Sequence, residues 1–280
     1  MIIFKQAQEL SGYLRQQGSK QRITGFIPTM GALHEGHLAL VKEAQLHTDI
    51  TVCSIFVNPT QFNDPKDYQK YPITLDQDKE KLEAAGTSIL FLPDVNEMYP
   101  GGTQHLEHYN LGFLETILEG QYRPGHFQGV CQVMARLLQM VQPQQLFMGQ
   151  KDYQQCMVVK WLIEYLQLNT LLVPCPTIRE TDGLAMSSRN MRLPAADRQK
   201  ATAIYKALTH IRQHMQPGPL QPLLSEARTM LEHEGFRIDY VATADANTLA
   251  LTDHWDGKQP LVALVAAFLG EVRLIDNMKL

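Results

Sequence analysis

Two histidines, His34 and His37, stand three residues apart in the segment PTMGALHEGH, residues 28–37. An apolar, strand-like stretch precedes the segment and a helix-like stretch follows it, so the histidines lie where a helix begins. A helix N-terminus has free N–H groups and a partial positive charge, and both favour a phosphate. Two imidazoles there can stabilise charge that builds on a phosphate during transfer. The segment is therefore a candidate phosphate site, where Gly31 and Gly36 allow a ligand to approach the backbone.

Two other interpretations of this segment remain open. An isolated H-x-G-H is also compatible with a loop that carries two solvated histidines. His34, Glu35 and His37 are metal-ligand types as well, but their spacing differs from the H-E-x-x-H zinc pattern and the sequence offers no obvious third histidine.

Neutral amides follow the next strand-like stretch, in VNPTQF, residues 57–62. Asn58 and Gln61 fall at the carboxyl edge of the expected sheet, where amides can hold hydroxyls and a carboxylate without a permanent charge. Phe62 can pack against an apolar part of the same ligand. Taken alone, the motif is more typical of a turn than of a binding site.

Two further segments contain phosphate-binding residue types. FMGQKDYQQ, residues 147–155, places Lys151 as a point charge after the flexible Gly149. Asp152 there is a helix N-cap, or it binds a ribose hydroxyl or a metal-bound water, and Gln155 follows about one turn later. In RETDGLAMSSRN, residues 179–190, two hydroxyls stand beside Arg189, whose guanidinium can bind a polyphosphate bidentately; a plain interdomain loop is the alternative.

The elements that position these segments alternate between strand and helix as far as residue 176. Strands are expected at residues 23–27, 50–57, 88–92, 145–148 and 170–173, and helices at residues 4–14, 38–47, 75–85, 129–141 and 153–166. Such alternation predicts a parallel sheet with right-handed crossovers. Ligands of such sheets bind beyond the carboxyl ends of the strands, where the candidate segments lie.

The pattern changes after Pro174 and Pro176. Helices are expected at residues 195–214 and 220–234, followed by strands at residues 238–244, 261–269 and 271–275. We therefore expect an α/β protein whose first domain, over residues 1–176, is built on a parallel sheet. A smaller α+β C-terminal domain is expected over residues 177–280.

Composition narrows the class of protein. Hydrophobic residues make up 44% of the chain and the net charge is −4, which indicates a packed core and argues against nucleic-acid or membrane-surface binding. The longest apolar run, residues 261–269, is far below the roughly 20 residues that span a bilayer. The four cysteines form no C-x-x-C pair and the first residues do not resemble a signal peptide, so we expect a soluble, cytoplasmic protein.

Taken together, the candidate segments resemble the pantothenate synthetase family. The matching pieces run in the family's order from residue 27 to residue 190: PTMGALHEGH, SIFVNPTQF, KDYQKYP, LEAAG, FLP, EMYP, RPGHFQGV, GQKDYQQ and RETDGLAMSSRN. The ordered set is far more specific than any one piece. The C-terminal part is matched mainly by its length and element order.

This resemblance implies a Rossmann-like nucleotidylyl-transferase fold, in which residues 1–176 would be the catalytic domain that binds ATP and pantoate. It also implies the condensation of pantoate with β-alanine, using ATP and Mg²⁺, through an acyl-adenylate. It also implies a homodimer and a C-terminal domain that closes as a lid. His37, His34, Lys151 and Arg189 would be catalytic, with His37 as proton donor, and Gln61, Gln155 and Asn58 would bind substrate. The implied ATP-binding residues are Met30, Gly31, Ala32, Leu33, His34, Glu35, Gly36, His37, Gly149, Gln150, Lys151, Asp152, Ile178, Met186, Ser187, Ser188 and Arg189.

Some positions depart from the family pattern, and other functions remain open. Ile73 and Arg192 replace an expected arginine and tyrosine, and Gln132 and Arg136 replace a frequent threonine and lysine. The alternatives are an adenylyltransferase that keeps AMP on its product, a metal-dependent hydrolase and a non-catalytic nucleotide-binding protein. The metal ligands are not identified by the resemblance.

Overall fold

Six strands form the sheet on which the first part of the chain is built. They are β1 (Ile2–Phe4), β2 (Thr24–Thr29), β3 (Ile50–Ile55), β4 (Ile89–Phe91), β5 (Gln145–Gly149) and β6 (Leu171–Cys175). Their order is β1-β4-β3-β2-β5-β6, and every neighbouring pair is parallel. The computed structural model, which describes all 280 residues, thus confirms the predicted parallel α/β sheet.

Helices supply the crossovers that parallel strands require. They are α1 (Ala7–Gly18), α2 (Glu35–His47), α3 (Pro65–Gln69), α4 (Leu75–Ala84), α5 (Val95–Met98), α6 (Leu118–Tyr122), α7 (His126–Val141) and α8 (Tyr153–Tyr165). Between sheet and helices lies a buried cluster that includes Ile27, Val41, Cys53, Leu82 and Phe147. All six residues of β3 are buried, as expected for a central parallel strand covered on both faces.

A second, antiparallel sheet lies in the last part of the chain. Its order is β11-β10-β8, with antiparallel pairing throughout. The elements are α9 (Ala195–Lys200), α10 (Ala203–His214), β7 (Gly218–Pro219), α11 (Gln221–His233), β8 (Arg237–Asp245), β9 (His254–Trp255), β10 (Leu261–Leu269) and β11 (Val272–Lys279). The sheet and α10 and α11 share a buried core that contains Ile204, Leu208, Leu231 and Val265, so the predicted α+β character is confirmed.

The contacts within the chain define two compact units. One contains Met1–Gly149 and Gln155–Pro176, and the other contains Gln150–Gln154 and Thr177–Leu280. Five residues from the middle of the chain therefore group with its C-terminal part. None of the helices combines the length and apolar character that crossing a bilayer requires.

Three of the differences from the sequence prediction have a local structural reason. Phe4 belongs to β1, a three-residue strand too short for periodicity to reveal, and the first helix begins only at Ala7. The helix expected over residues 195–214 is two helices, since Thr202 Oγ1 donates to the Gln199 carbonyl and competes with the helical pattern. Pro174 lies inside β6, which is tolerated because β6 is an edge strand.

Candidate active site

The two histidines lie at the start of α2 and bond to its first turn. His34 is the N-cap, and its Nδ1 accepts the Gly36 N–H at 3.1 Å, while His37 Nδ1 accepts the His34 N–H at 3.3 Å. The ring centroids are 4.1 Å apart. A neutral imidazole that accepts at Nδ1 has its proton on Nε2, so each ring is an Nε2–H donor.

This geometry changes how the helix N-terminus can act on an anion. The sequence predicts free backbone N–H groups there, but the Gly36 N–H is used by the His34 ring. The ring is polarised by that bond and can pass the effect to its own Nε2–H. An anion at this helix end would therefore meet imidazole donors as well as the partial positive charge of the helix.

A carboxylate on α4 holds the loop that precedes the histidines. Asp78 is 1% exposed, and its two oxygens accept the N–H groups of Ala32 and Leu33, each at 2.8 Å. Lys81, one turn along the helix, donates to the Leu33 carbonyl at 2.6 Å. Gly31 and Ala32 have φ of +82° and +49°, a left-handed backbone conformation that residues with a Cβ rarely adopt. The bonds that Asp78 and Lys81 make to Ala32 and Leu33 hold the loop in this conformation.

Asn58 uses all the donors and the acceptor of its side-chain amide in hydrogen bonds to the protein, one of them to Gln61. It is 1% exposed, and both Nδ2 hydrogens are used, toward Gln61 Oε1 at 3.2 Å and the Gly129 carbonyl at 3.1 Å. Its Oδ1 accepts from Tyr99 at 2.8 Å and from Thr60 Oγ1 at 3.1 Å. The proposed contact of Asn58 with a substrate stays a prediction, while its contacts in the structure orient the Gln61 side chain.

The Gln61 backbone is held by residues that sequence reasoning left without a clear role. His126 Nδ1 lies 2.7 Å from the Gln61 carbonyl, and because a carbonyl only accepts, Nδ1 is the donor. Its Nε2 then accepts from Arg123 at 3.2 Å. The Gln61 amide nitrogen is 3.0 Å from Met30 Sδ. The side chain of Gln61 thus lies beside the histidine loop, within the same unit.

Of the positions that depart from the family pattern, Arg136 contacts this network. Its guanidinium lies 5.2 Å from the centroid of the Tyr99 ring, in cation–π contact, and Tyr99 bonds to Asn58. Gln132 donates to the Glu107 carbonyl at 3.2 Å. Ile73 is 82% exposed, so it contributes little to packing.

The GQKD segment follows β5 as a 3₁₀ turn over Gln150–Asp152. Asn277 donates to the carbonyls of Gln150 and Lys151 at 2.9 and 2.8 Å. Tyr153 OH donates to the Ala246 carbonyl at 2.6 Å. These partners belong to the last part of the chain, which explains why residues 150–154 group with it.

The MSSR segment belongs to a short hairpin. Arg179 and Ala185 form an antiparallel bridge, and the Met186 N–H donates to the Ile178 carbonyl at 3.0 Å. Ser187 caps a 3₁₀ helix over Ser188–Arg192, with its Oγ accepting the Arg189 N–H at 3.3 Å. Ser188 is buried, whereas Arg189 is partly exposed.

A buried ion pair anchors this hairpin to β11. Arg179 donates to both carboxylate oxygens of Asp276, Nη2 to Oδ1 at 3.1 Å, and to the Gly183 carbonyl at 3.1 Å. Asp276 is 4% exposed. Burial raises the pKa of its carboxyl above the ordinary value, and the bonds from Arg179 act in the opposite direction. Arg179 also lies 4.7 Å from the centroid of the Tyr205 ring.

The metal interpretation of the histidine segment has no supporting geometry. No group of three or more histidine, cysteine, aspartate or glutamate side chains is placed to hold a metal ion. The Nδ1 atoms of His34 and His37 accept backbone N–H groups, so neither lone pair is directed at an ion.

Sequence reasoning missed Asp78, Asn277 and Arg179. Asp78 had one detectable signal: it falls three residues after Leu75 and four before Leu82, on the apolar face of α4, where a charged residue needs partners. Asn277 and Arg179 act on partners that only the fold brings near them. Gln155 is partly buried, in the first turns of α8.

Fold and site define an α/β protein with an imidazole pair at the helix that follows β2. Comparison with known proteins is more specific. A family model described as pantoate–β-alanine ligase matches residues 2–279. A pantothenate synthetase of Bacteroides fragilis is 42% identical over 270 residues, covering 95% of this chain and 93% of its own. The chain therefore belongs to the pantoate–β-alanine ligase family.

Solved structures agree with this assignment. A pantothenate synthetase from Thermus thermophilus has a TM-score of 0.90 at 40% identity and covers 100% of this chain and 99% of its own. A pantoate–β-alanine ligase from Francisella tularensis, complexed with β,γ-ATP and β-alanine, has a TM-score of 0.82 at 36% identity, covering 100% and 97%. The resemblance inferred from the ordered motifs is thus confirmed along the whole chain.

Proposed function

We propose that this chain condenses (R)-pantoate with β-alanine, consuming ATP and releasing AMP and pyrophosphate. It would be a pantoate–β-alanine ligase of the AMP-forming type, and its product would be pantothenate, the precursor of coenzyme A. The observation that carries the proposal is the pair of Nε2–H donors at the start of α2, in a chain of this family.

The chemistry proceeds in two displacements. A carboxylate is a poor electrophile, so a pantoate oxygen first attacks the α-phosphorus of ATP. The bond to the bridging oxygen breaks, its electron pair leaves with pyrophosphate, and pantoyl-adenylate forms. The neutral amine of β-alanine then attacks the acyl carbon, and the carbon–oxygen bond to AMP breaks as the amine loses a proton. Catalysis of the first step rests on positioning and electrostatics.

Named residues take the following roles in this proposal. His34 and His37 donate from Nε2 to phosphate oxygens, and His37 is the proton donor. Lys151 and Arg189 stabilise charge on the phosphates. The nucleotide is bound by Met30, Gly31, Ala32, Leu33, His34, Glu35, Gly36, His37, Gly149, Gln150, Lys151, Asp152, Ile178, Met186, Ser187, Ser188 and Arg189. Gln61, Gln155 and Asn58 bind substrate, the two glutamines binding pantoate, and Asn58 also orients Gln61.

ATP enters as its Mg²⁺ complex. Mg²⁺ keeps several waters and is bound largely through substrate phosphates, with few protein ligands. An ion carried on the triphosphate needs no protein cage, which suits a chain without a metal-binding cluster. The residues above act on the phosphates themselves.

The proposal also includes the cellular location of the protein, its quaternary structure and the closure of its C-terminal part. We place the enzyme in the cytoplasm, which suits its four buried cysteines, none of which forms a disulfide. Burial raises the pKa of Cys53 to about 12 and that of Cys175 to about 11, so these thiols stay protonated. A homodimer and closure of residues 177–280 as a lid complete the proposal, and light scattering and nucleotide-dependent protease protection test them.

One experiment tests the reaction as a whole. The protein is supplied with MgATP, pantoate and β-alanine, and AMP and pantothenate are measured together. We expect them in equal amounts. Without β-alanine, exchange of labelled pyrophosphate into ATP should persist and should require pantoate. A stable product that retains AMP would favour an adenylyltransferase, and ATP binding without exchange would favour a non-catalytic protein.

A further inference from the structure

Asn277 lies on the last strand, β11, and both the nitrogen and the oxygen of its side-chain amide bond to the dipeptide Gln150–Lys151. Its Nδ2 donates to the carbonyls of Gln150 and Lys151, at 2.9 and 2.8 Å. Its Oδ1 accepts from the side chain of Gln150 at 3.3 Å. The partners are 126 and 127 residues away in the chain, and Asn277 is 3% exposed.

These bonds fix the backbone on both sides of Lys151. A peptide unit is planar, so holding the Gln150 carbonyl fixes the plane before the Lys151 Cα, and holding the Lys151 carbonyl fixes the plane after it. The two planes meet at that Cα and determine its φ and ψ. The direction in which the Lys151 side chain leaves the backbone is thereby set.

Asn277 is itself rigidly held. Its N–H donates to Asp276 Oδ1 at 2.8 Å, and its carbonyl accepts from Arg179 Nη2 at 3.3 Å. In the β11–β10 ladder it pairs with Leu264, and Asp276 pairs with Val265. A side chain fixed by both its neighbours and its sheet can transmit a defined position to the residues that it bonds.

We propose that Asn277 is a positioning residue for the first chemical step, acting through Lys151. This inference rests on the proposed function, in which Lys151 binds the ATP phosphates. Asn277 does not contact substrate in this proposal. Asn277 sets the position of the Lys151 ammonium group. Replacing Asn277 would displace that group without removing its charge.

The test is Asn277→Leu, which keeps the number and branching of the side-chain heavy atoms and removes both donors and the acceptor. We expect kcat/KM for ATP to fall about tenfold, since a small misplacement of a catalytic group is costly. The KM for β-alanine should not change. The matched control is Thr243→Val, at a residue 2% exposed on the same sheet whose Oγ1 donates to the Thr252 carbonyl at 2.6 Å. It should lower stability and leave ATP kinetics as in wild type.

A double-mutant cycle with Lys151→Ala separates positioning from general damage. If Asn277 acts through Lys151, Asn277→Leu should cost less than about twofold in the Lys151→Ala background. Full, additive loss in that background, or equal loss for ATP and β-alanine, would overturn the inference. Should Asn277→Leu fail to fold, Asn277→Ser retains one donor and is expected to give a smaller, ATP-specific loss.

The outcome distinguishes this inference from the proposed function. If Lys151→Ala is strongly impaired while Asn277→Leu and Asn277→Ser match wild type, the positioning role is wrong and the reaction stands. If Lys151→Ala itself has normal ATP kinetics, the role of Lys151 in the proposed function is wrong, and the inference falls with it.

Discussion

Gly129 packs so closely on Thr60 that the two backbones are in direct contact. A Cβ on Gly129 would overlap the Thr60 carbonyl oxygen and would lie 2.5 Å from the Gln61 Cα. Neither neighbour is a flexible side chain that can move aside. Helix α7 therefore fixes the turn that carries Gln61, and only glycine permits that distance.

Gly129→Ala should destabilise the protein and displace Gln61. Overpacking of this kind costs about 1–3 kcal/mol, measurable by urea unfolding, and the KM for pantoate should rise. Gly12→Ala is the control, since Gly12 lies within α1 with nothing near its Cβ position, and alanine there should stabilise the helix. Equal stability of Gly129→Ala and wild type would contradict the close contact.

Gln61→Ala should weaken pantoate binding while ATP binding is retained. A hydrogen bond to a charged group contributes about 1.5–3 kcal/mol, so we expect KM for pantoate to rise by one to two orders of magnitude. The backbone should stay in place because His126 bonds to the Gln61 carbonyl. Gln61→Glu places a negative charge near the pantoate carboxylate and should bind more weakly still. Pantoate affinity like that of wild type in both variants would exclude this role.

His37→Ala should reduce adenylate formation by about 10²–10³, the cost of losing one transition-state donor. Pyrophosphate exchange measures this step alone. His37→Asn can still accept the His34 N–H but lacks the distal donor, so it separates helix capping from catalysis and should be equally impaired. His47→Ala, at the exposed end of the same helix, should be normal. Unchanged kcat in both His37 variants would refute the assignment.

Asp78→Asn should lower both stability and the rate of the first step. The amide replaces one acceptor with a donor that faces a backbone N–H, which leaves buried groups unpaired at a cost of about 1–3 kcal/mol. Because Asp78 holds Ala32 and Leu33, kcat/KM for ATP should fall as well. Asp76→Asn is the control on the same helix, since its side chain is 95% exposed and a surface ion pair contributes about 0–1 kcal/mol. Loss of stability without any kinetic change would limit Asp78 to a structural role.

The position of three motifs was predictable because each of them follows a strand. Carboxyl ends of parallel strands lie on one edge of the sheet, so the segments after β2, β3 and β5 could be placed at that edge from alternation alone. Boundaries were less accurate, since the first turn of α2 includes Gly36, a residue type that helix propensity does not favour. Capping by the ring of His34 starts that helix.

The residues that hold the motifs could not be predicted. Asp78 bonds to Ala32 across 46 positions, and Asn277 reaches Lys151 across 126. Periodicity reports which face of an element is buried and carries no information about which distant carbonyl or N–H lies opposite. The imidazole tautomers likewise follow from hydrogen bonds that exist only in the folded chain.

The hydrogen bonds of the Asp245 carboxylate predict how the free energy of unfolding depends on pH. Its carboxylate accepts from Gln259 at 2.9 Å and from the N–H groups of Asn247 and Thr248. The Gln259 bond is the main cause that lowers the pKa of Asp245. A lowered folded-state pKa means that the stabilisation is complete above the unfolded pKa of about 3.9 and is lost as pH falls through the folded value.

Asp245→Asn should therefore be less stable than wild type by about 1–3 kcal/mol at neutral pH. The difference should narrow below about pH 4, as the wild-type carboxylate becomes protonated. Urea unfolding at a series of pH values measures both effects. Asp253→Asn, at an exposed position on the following loop, should stay within about 0.5 kcal/mol of wild type. If the difference in unfolding free energy between Asp245→Asn and wild type increased in acid, the predicted direction of the pH dependence would be wrong.

The grouping of Gln150–Gln154 with the end of the chain bears on how such enzymes can be recombined. A chimaera that joins the first 176 residues of this chain to the remainder of a relative would pair its own QKDYQ stretch, residues 150–154, with a foreign last strand. Unless that strand also has asparagine at position 277, the lysine would lose its support. Swaps that carry the five-residue stretch along with residues 177–280 should retain activity more often, and across the family these two segments should change together.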